Sequence, residues 1–169
     1  MKKLVILAGA ILLASCEQNK IAHVDYATLM DGYQRKKDLE SGYQIKAENY
    51  ARKRDSISQV FQMEAQEMQN RARSMSQQSA QEEMNALQQR AQMVGQQLQQ
   101  EEQQMQRMGQ LKSDSLITHV KETVAKFGEE KGYTYILAAG DGSSVLFGED
   151  SKDITEEVLK MLNDEYKKQ

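Results

Sequence analysis

The sequence of 169 residues contains no proline, no tryptophan and a single cysteine. Because proline is the residue that most strongly ends a helix, its absence permits very long helices. One cysteine excludes a disulfide within the chain, so cysteine pairing does not indicate the redox compartment. Aromatic residues make up only 6% of the chain, and mean hydropathy is −0.74. These values are low for a compact globule of this length.

Neither sign of charge is in large excess. The net charge is −3 and the isoelectric point is near 5.5. Nucleic-acid binding depends on a strongly basic face, commonly with aromatic residues that stack on bases. Such a basic aromatic patch is missing from this sequence, so we expect no nucleic-acid partner.

No residue pattern in the sequence indicates catalysis. The two histidines, His23 and His119, are far apart and lack neighbours at the spacing of metal ligands. The glycine-rich segment GDGSS, residues 140–144, lacks both the lysine of a phosphate-binding loop and a helix directly after it. We therefore expect no metal site, no cofactor and no enzymatic activity.

The cysteine lies directly after an apolar segment near the N-terminus. A positively charged start and the apolar run 4–13 lead to the tetrad LASC, residues 13–16, which resembles the lipobox of bacterial lipoproteins. We predict a lipoprotein signal peptide over residues 1–15, lipidation of Cys16, and a lipidated tether over residues 16–20. Several acyl chains on one cysteine anchor a protein stably in a membrane. The alternative is an ordinary signal peptide that happens to contain a cysteine.

Regular structure is expected directly after the tether. Residues 21–26 show the apolar alternation of a β-strand. From about residue 28 the pattern becomes helical and continues without a strong stop signal. We therefore assign residues 21–42 to a body strand and the start of a first long helix.

Residues 43–111 predict a pair of long helices. They are rich in good helix formers, and their apolar positions repeat every seven residues, as in coiled coils. The repeats are Phe61, Met68 and Met75 in the first half and Met84, Ala91, Leu98 and Met105 in the second. Each has a companion row: Tyr43, Tyr50 and Ile57 in the first half, and Leu87, Val94 and Met108 in the second. Because the two registers do not join, we predict a turn at residues 76–79, with Ser79 and Glu82 as a capping box. The result is an antiparallel hairpin, and the alternative is one unbroken rod.

Residues 112–169 have a different character and are assigned to the body. The sequence predicts a helix that ends at Gly132, an apolar strand within 133–139, a returning strand at 145–147, and a C-terminal helix capped by Asp153. We expect the N-terminal strand to share one sheet with this module. The hairpin is then an insertion in an α+β body.

Three motifs resemble the Skp family, also called OmpH, of periplasmic chaperones. They are KIAHVDYATLM, FGEEKGYTYILAA and DITEEVLKML, and they occur in the family's order around a long helical insertion. The resemblance covers residues 20–163. It implies a small β-rich trimerisation body with the hairpin inserted as a coiled-coil tentacle. It also implies a homotrimer that holds unfolded outer-membrane β-barrel proteins without ATP.

Seven of the ten methionines lie in the predicted hairpin. Methionine is flexible and polarizable, so a surface lined with it can adapt to many client sequences. We therefore predict client-binding residues in the hairpin arm, while packing in the seam between the helices is the alternative for part of the set. The residues are Met63, Met68, Met75, Met84, Met93, Met105 and Met108.

Two classes of function remain open. The first is an ATP-independent holdase for unfolded outer-membrane proteins, lipid-anchored in the periplasm. The second is a structural or tethering coiled-coil lipoprotein of the envelope. Glu17 is not the aspartate that retains lipoproteins in the inner membrane of some bacteria, so the outer membrane is favoured. The best-known members of the family are strongly basic whereas this chain is acidic, so we carry over no lipid-binding site.

Overall fold

The structure is a computed structural model that describes residues 19–168. The predicted signal peptide, Cys16 and the first residues of the predicted tether lie outside the described residues. The chain forms two compact units. The body unit comprises residues 19–34 and 119–168, and the hairpin unit comprises residues 35–118.

The described chain is mostly helical. Its elements are β1 (Ile21–Asp25), α1 (Tyr26–Gly32), α2 (Gln34–Ala72), α3 (Gln77–Lys131), β2 (Tyr135–Ala139) and α4 (Thr155–Tyr166), with a short 3-10 turn at Asp150–Lys152. Long helices combined with a small sheet agree with the α+β class.

The sheet of the body unit consists of β1 and β2. The strands are parallel, and their register runs from Ile21 opposite Tyr135 to Asp25 opposite Ala139. The prediction that the N-terminal strand pairs with the C-terminal module is confirmed. Parallel strands require a long crossover connection, which helices α1 to α3 provide.

The predicted returning strand at residues 145–147 is wrong. Only Val145 forms an isolated bridge, to Ala139. The chain leaves β2 through Gly140 and Gly142, whose φ angles are +93° and +78°. These left-handed residues turn the backbone out of the sheet before a ladder can form. The described part of the body unit therefore has a two-stranded sheet and is not β-rich.

The core of the body unit lies between the sheet and the helices. Its buried apolar residues are Ala22, Val24, Leu29, Tyr33, Val120, Phe127, Ile154, Val158 and Leu162. Gly32 allows the close approach of α1 to α4, because a Cβ atom there would overlap the side chain of Leu159 unless that side chain moved. Val158 and Leu162 form the buried apolar side of α4, and Ile154 at its N-cap position is also buried.

Helix α3 ends in a Schellman motif at the glycine that the sequence indicated. Gly132 has φ +70°. The Tyr133 N–H donates to the Gly128 carbonyl at 2.8 Å, and the Gly132 N–H donates to the Glu129 carbonyl at 3.2 Å. The rings of Phe127 and Tyr133 stack with centroids 6.2 Å apart, which supplies the apolar contact of the motif.

Helix α4 starts one residue later than predicted, because Ile154 and not Asp153 occupies the N-cap position. Asp153 still binds the first turn: its Oδ1 accepts from the Thr155 N–H at 2.8 Å and from the Thr155 hydroxyl at 2.5 Å. The same hydroxyl accepts from the Asp25 N–H at 2.8 Å, which connects the end of β1 to α4. Burial raises the pKa of Asp153, but the hydrogen bonds from Thr155 and the nearby His23 together lower the pKa below its ordinary value.

Asp153→Asn is expected to lower the free energy of unfolding by about 1 kcal/mol at neutral pH, because a hydrogen bond to a neutral amide oxygen is weaker than one to an ionised carboxylate. Since the folded state lowers the pKa of Asp153, the stabilisation is present above the unfolded pKa of about 3.9 and is lost as pH falls through the folded value. Urea unfolding at pH 7 and at about pH 3 measures the difference. Asp141→Asn, in an exposed turn, is the control. A stability difference that does not shrink at acid pH would contradict this account.

The turn of the hairpin unit lies at residues 73–76, slightly N-terminal to the predicted position. Helix α3 is capped by Ser76, whose Oγ accepts from the Ser79 N–H at 3.2 Å. The predicted capping box of Ser79 and Glu82 is therefore wrong, because Ser79 already lies in the first turn of α3. The interruption after Ala72 also contradicts one unbroken rod.

Candidate functional site

Helices α2 and α3 lie side by side and antiparallel in the hairpin unit. Three ion pairs join them at successive levels: Arg71 with Glu83 at 3.2 Å, Glu64 with Arg90, and Lys53 with Glu101 at 2.5 Å. Along the hairpin the residue numbers of the partners rise on α3 while they fall on α2. The two helices therefore run antiparallel.

Aromatic and methionine side chains form the seam between these helices. The Tyr50 hydroxyl donates to the Leu98 carbonyl at 2.9 Å. Tyr43 lies against Gly109 so closely that a Cβ atom there would come within 2.8 Å of the ring. Met68 is buried, at 2% exposure. Tyr43, Tyr50 and Met68 belong to the heptad rows that predicted the paired helices.

Three apolar side chains of α2 remain exposed outside the seam. Ile45, Val60 and Met63 are 55%, 43% and 56% exposed. Val60 and Met63 follow Ile45 by 15 and 18 residues, which correspond to about four and five helical turns. The three side chains therefore lie along one side of α2.

Helix α3 repeats the same arrangement. Met93, Met108 and Leu111 are 63%, 47% and 52% exposed. Their separations of 15 and 18 residues equal those on α2, so they also follow one side of their helix.

The ion pairs show that these two sides belong to one face of the hairpin. On α2, Val60 lies seven residues after Lys53 and four before Glu64. Helical neighbours at these spacings share a side.

On α3, Met108 lies seven residues after Glu101, and Met93 lies three after Arg90. Since Lys53 binds Glu101 and Glu64 binds Arg90, both apolar rows flank the same ion pairs. We call this surface the apolar face. It consists of Ile45, Val60, Met63, Met93, Met108 and Leu111.

The other side of the seam is polar. A residue two positions from Val60 or Met108 lies about 200° around the helix, and Gln62 and Gln110 occupy those positions. We call this surface the glutamine face. It consists of Gln44, Glu48, Asp55, Gln62 and Gln69 on α2 and Gln81, Gln92, Gln99, Gln103 and Gln110 on α3, and all of them are exposed. The hairpin therefore presents two chemically different faces.

The seven methionines named from the sequence divide between seam and face. Met63, Met93 and Met108 lie exposed on the apolar face. The other four are buried or half-buried: Met68, Met75, Met84 and Met105. Sequence reasoning missed Ile45, Val60 and Leu111, although the 15- and 18-residue spacing shared by the two helices was a signal that could have found them.

The sequence matches the family described as outer membrane protein (OmpH-like) over residues 20–162. The chain belongs to this family. Its members are in general periplasmic chaperones without enzymatic activity, which bind unfolded outer-membrane proteins and form trimers. The match confirms the resemblance carried by the three sequence motifs. No curated protein matches the chain significantly.

The body unit of this OmpH-like chain carries an exposed apolar surface of its own. Ala22 and Val24 of β1 point into the core, so the outer side of the sheet carries the alternate residues. Leu146 and Phe147 follow the glycine turn and are 97% and 85% exposed. We call this set the body surface. It consists of Ile21, Tyr135, Leu137, Leu146 and Phe147, all of them exposed.

Over residues 19–168, no group of three or more histidine, cysteine, aspartate or glutamate side chains is placed to hold a metal ion. Within that same range, no helix combines the length and the apolar character needed to cross a membrane.

Proposed function

We propose that this OmpH-like protein is an ATP-independent holdase for unfolded outer-membrane β-barrel proteins, held in the periplasm by a lipid on Cys16. The family match supports a periplasmic chaperone in general. The observation that carries the holdase role is the apolar face of the hairpin.

The chemistry of the apolar face suits weak binding of many sequences. Three of its six members are methionines, which adjust their shape to different partners. Complete burial of one such side chain contributes about 1.5–3 kcal/mol, so a client gains affinity through several modest contacts. An unfolded chain held in this way can still be released without ATP. The polar side chains of the glutamine face would contribute no comparable free energy of burial to client binding.

The hairpin does not cover the apolar face by its own packing. Within residues 35–118, the only apolar side chains that are almost fully buried are Met68 and Leu116. The six exposed side chains thus need a partner, and an unfolded client is the partner we propose. The alternative is a structural or tethering role, in which hairpins bundle with each other or with one fixed protein. The experiment below distinguishes this role from the holdase role.

We also propose that three copies assemble through the body surface. A two-stranded sheet is marginal by itself. Ile21, Tyr135 and Leu137 of this sheet are exposed, and so are Leu146 and Phe147 in the segment that follows it. Contact between copies would remove this surface from water. The trimers formed by the family in general support this arrangement.

The experiment compares two triple variants of a soluble form that starts at Glu17. One carries Met63→Glu, Met93→Glu and Leu111→Glu on the apolar face. The matched control carries Gln62→Glu, Gln92→Glu and Gln110→Glu on the glutamine face, so both add the same charge to the same helices. Loss of three apolar contacts at about 1–2 kcal/mol each should weaken client binding about 100-fold or more.

The measurement is light scattering after a urea-unfolded outer-membrane β-barrel protein is diluted into each variant without ATP. The control variant should suppress aggregation as the unsubstituted chain does, and the apolar-face variant should not. Circular dichroism checks that both remain helical. Equal suppression by both variants would reject the apolar face as the client site. If the unsubstituted chain forms a stable oligomer but suppresses nothing, the tethering role takes its place.

A further inference from the structure

The chain is fixed to the body unit from Lys20 onward. Its Nζ donates to the Lys131 carbonyl at 2.9 Å and lies 4.0 Å from the ring centroid of Tyr133. Its own carbonyl accepts from the Thr134 N–H at 2.7 Å. Lys20 is thus bound to the end of α3 and to the residue that precedes β2.

Only residues 17–19 separate Lys20 from Cys16 in the sequence. Four Cα-to-Cα steps connect the two residues, and a fully extended chain advances at most about 3.6 Å per step, so their Cα atoms lie within about 14 Å. Acyl chains on Cys16 would place its Cα at the headgroups of the bilayer. The Cα atom of Lys20 then lies within about 14 Å of the headgroups, and the part of the body unit that binds Lys20 is held close to the membrane surface.

The part of the body unit nearest to the anchor follows from the sheet. Parallel strands begin at the same edge, so the start of β1 and the start of β2 lie together, next to the end of α3. We call the exposed residues of this edge the strand-start surface. It consists of Lys20, Lys131, Gly132 and Thr134.

We propose that the strand-start surface lies against the headgroups of a lipid bilayer. This inference depends on the lipidation of Cys16 proposed above. Charge does not select the lipid: beside Lys20 and Lys131, the last turn of α3 exposes Glu129 and Glu130, so the two signs balance. The short tether holds the surface in place, and the contact is therefore insensitive to salt and to anionic lipid.

The test uses the full lipidated chain in phosphatidylcholine vesicles that carry a nitroxide label on their headgroups. Thr134→Cys is labelled with a small fluorophore, and Asp141→Cys, an exposed turn position beyond the far end of β2, is the matched site. We expect severalfold stronger quenching at position 134 than at position 141. Added phosphatidylglycerol or high salt should leave the ratio unchanged.

A longer tether is the decisive control. Twenty Gly and Ser residues inserted between Glu17 and Gln18 give a root-mean-square reach of about 25 Å, so this variant should still float with vesicles but lose the quenching at position 134. Equal quenching at both positions, or quenching that survives the insertion, overturns the proposed contact while leaving the anchor intact. A full chain that floats no better than Cys16→Ser overturns the lipid anchor, and the membrane contact with it.

Discussion

Removal of residues 43–111 is expected to abolish the suppression of aggregation while leaving the body unit folded. The deletion takes away the whole apolar face. It leaves the buried residues of the body unit in place, because they all lie in residues 19–34 and 119–168. Gly42 and Lys112 line the same groove of about 650 Å³ between α2 and α3, so a short Gly-Ser linker can join them.

The deletion is measured by light scattering with a urea-unfolded β-barrel protein, beside the full soluble form. Scattering with the shortened chain should equal that of the client alone, a larger effect than any side-chain substitution in the hairpin. Circular dichroism and oligomeric state provide the control that the body unit persists. A shortened chain that still keeps the client dispersed would move the binding site to the body unit and contradict the holdase proposal.

The seam of the hairpin could be predicted from the sequence because its period is strong. Tyr43, Tyr50 and Met68 occupy heptad positions and pack between the helices. The sequence predicts the turn a few residues too far toward the C-terminus, because both Ser76 and Ser79 can cap the second helix and the spacing of Ser79 to Glu82 favours Ser79. In the structure Ser76 is the cap, because its hydroxyl oxygen accepts a hydrogen bond from the N–H of Ser79, three positions later.

The apolar face could not be read from the heptads alone. Heptads identify the residues that face the partner helix, whereas Ile45 and Met93 lie outside those rows. Which side they occupy follows only when the ion pairs fix how α2 and α3 face each other. In the body unit, too, the sequence pattern alone did not predict which residues are exposed. Residues 145–147 are strand-like in sequence, but after the turn at Gly140 and Gly142 they form no strand, and Leu146 and Phe147 are exposed.

The substitution pair Leu146→Asp and Phe147→Asp is expected to convert the proposed trimer to monomers. These side chains are 97% and 85% exposed, so their replacement removes almost no contact within the subunit. Burial between copies would contribute about 2 kcal/mol for each side chain, and loss of about 4 kcal/mol per subunit corresponds to about a thousandfold in affinity. Clustered carboxylates from neighbouring copies would weaken the contact further.

Sedimentation velocity of the soluble form measures the change. The control pair Ser144→Asp and Ser151→Asp adds the same charge at exposed positions of the same segment and should remain assembled. Unchanged circular dichroism would show that the subunit stays folded. If the Leu146 and Phe147 variant sediments like the unsubstituted chain, the body surface is not the contact between copies.

The same variant tests whether assembly matters for holding a client. One apolar face offers six exposed side chains, and three linked faces would bind one unfolded chain with a high effective concentration. The monomeric variant should therefore lose most of its suppression of aggregation, although its apolar face is intact. Monomers that suppress as well as the assembled chain at equal subunit concentration would show that a single hairpin suffices. The trimer would then contribute to the stability of the body sheet and not to client binding.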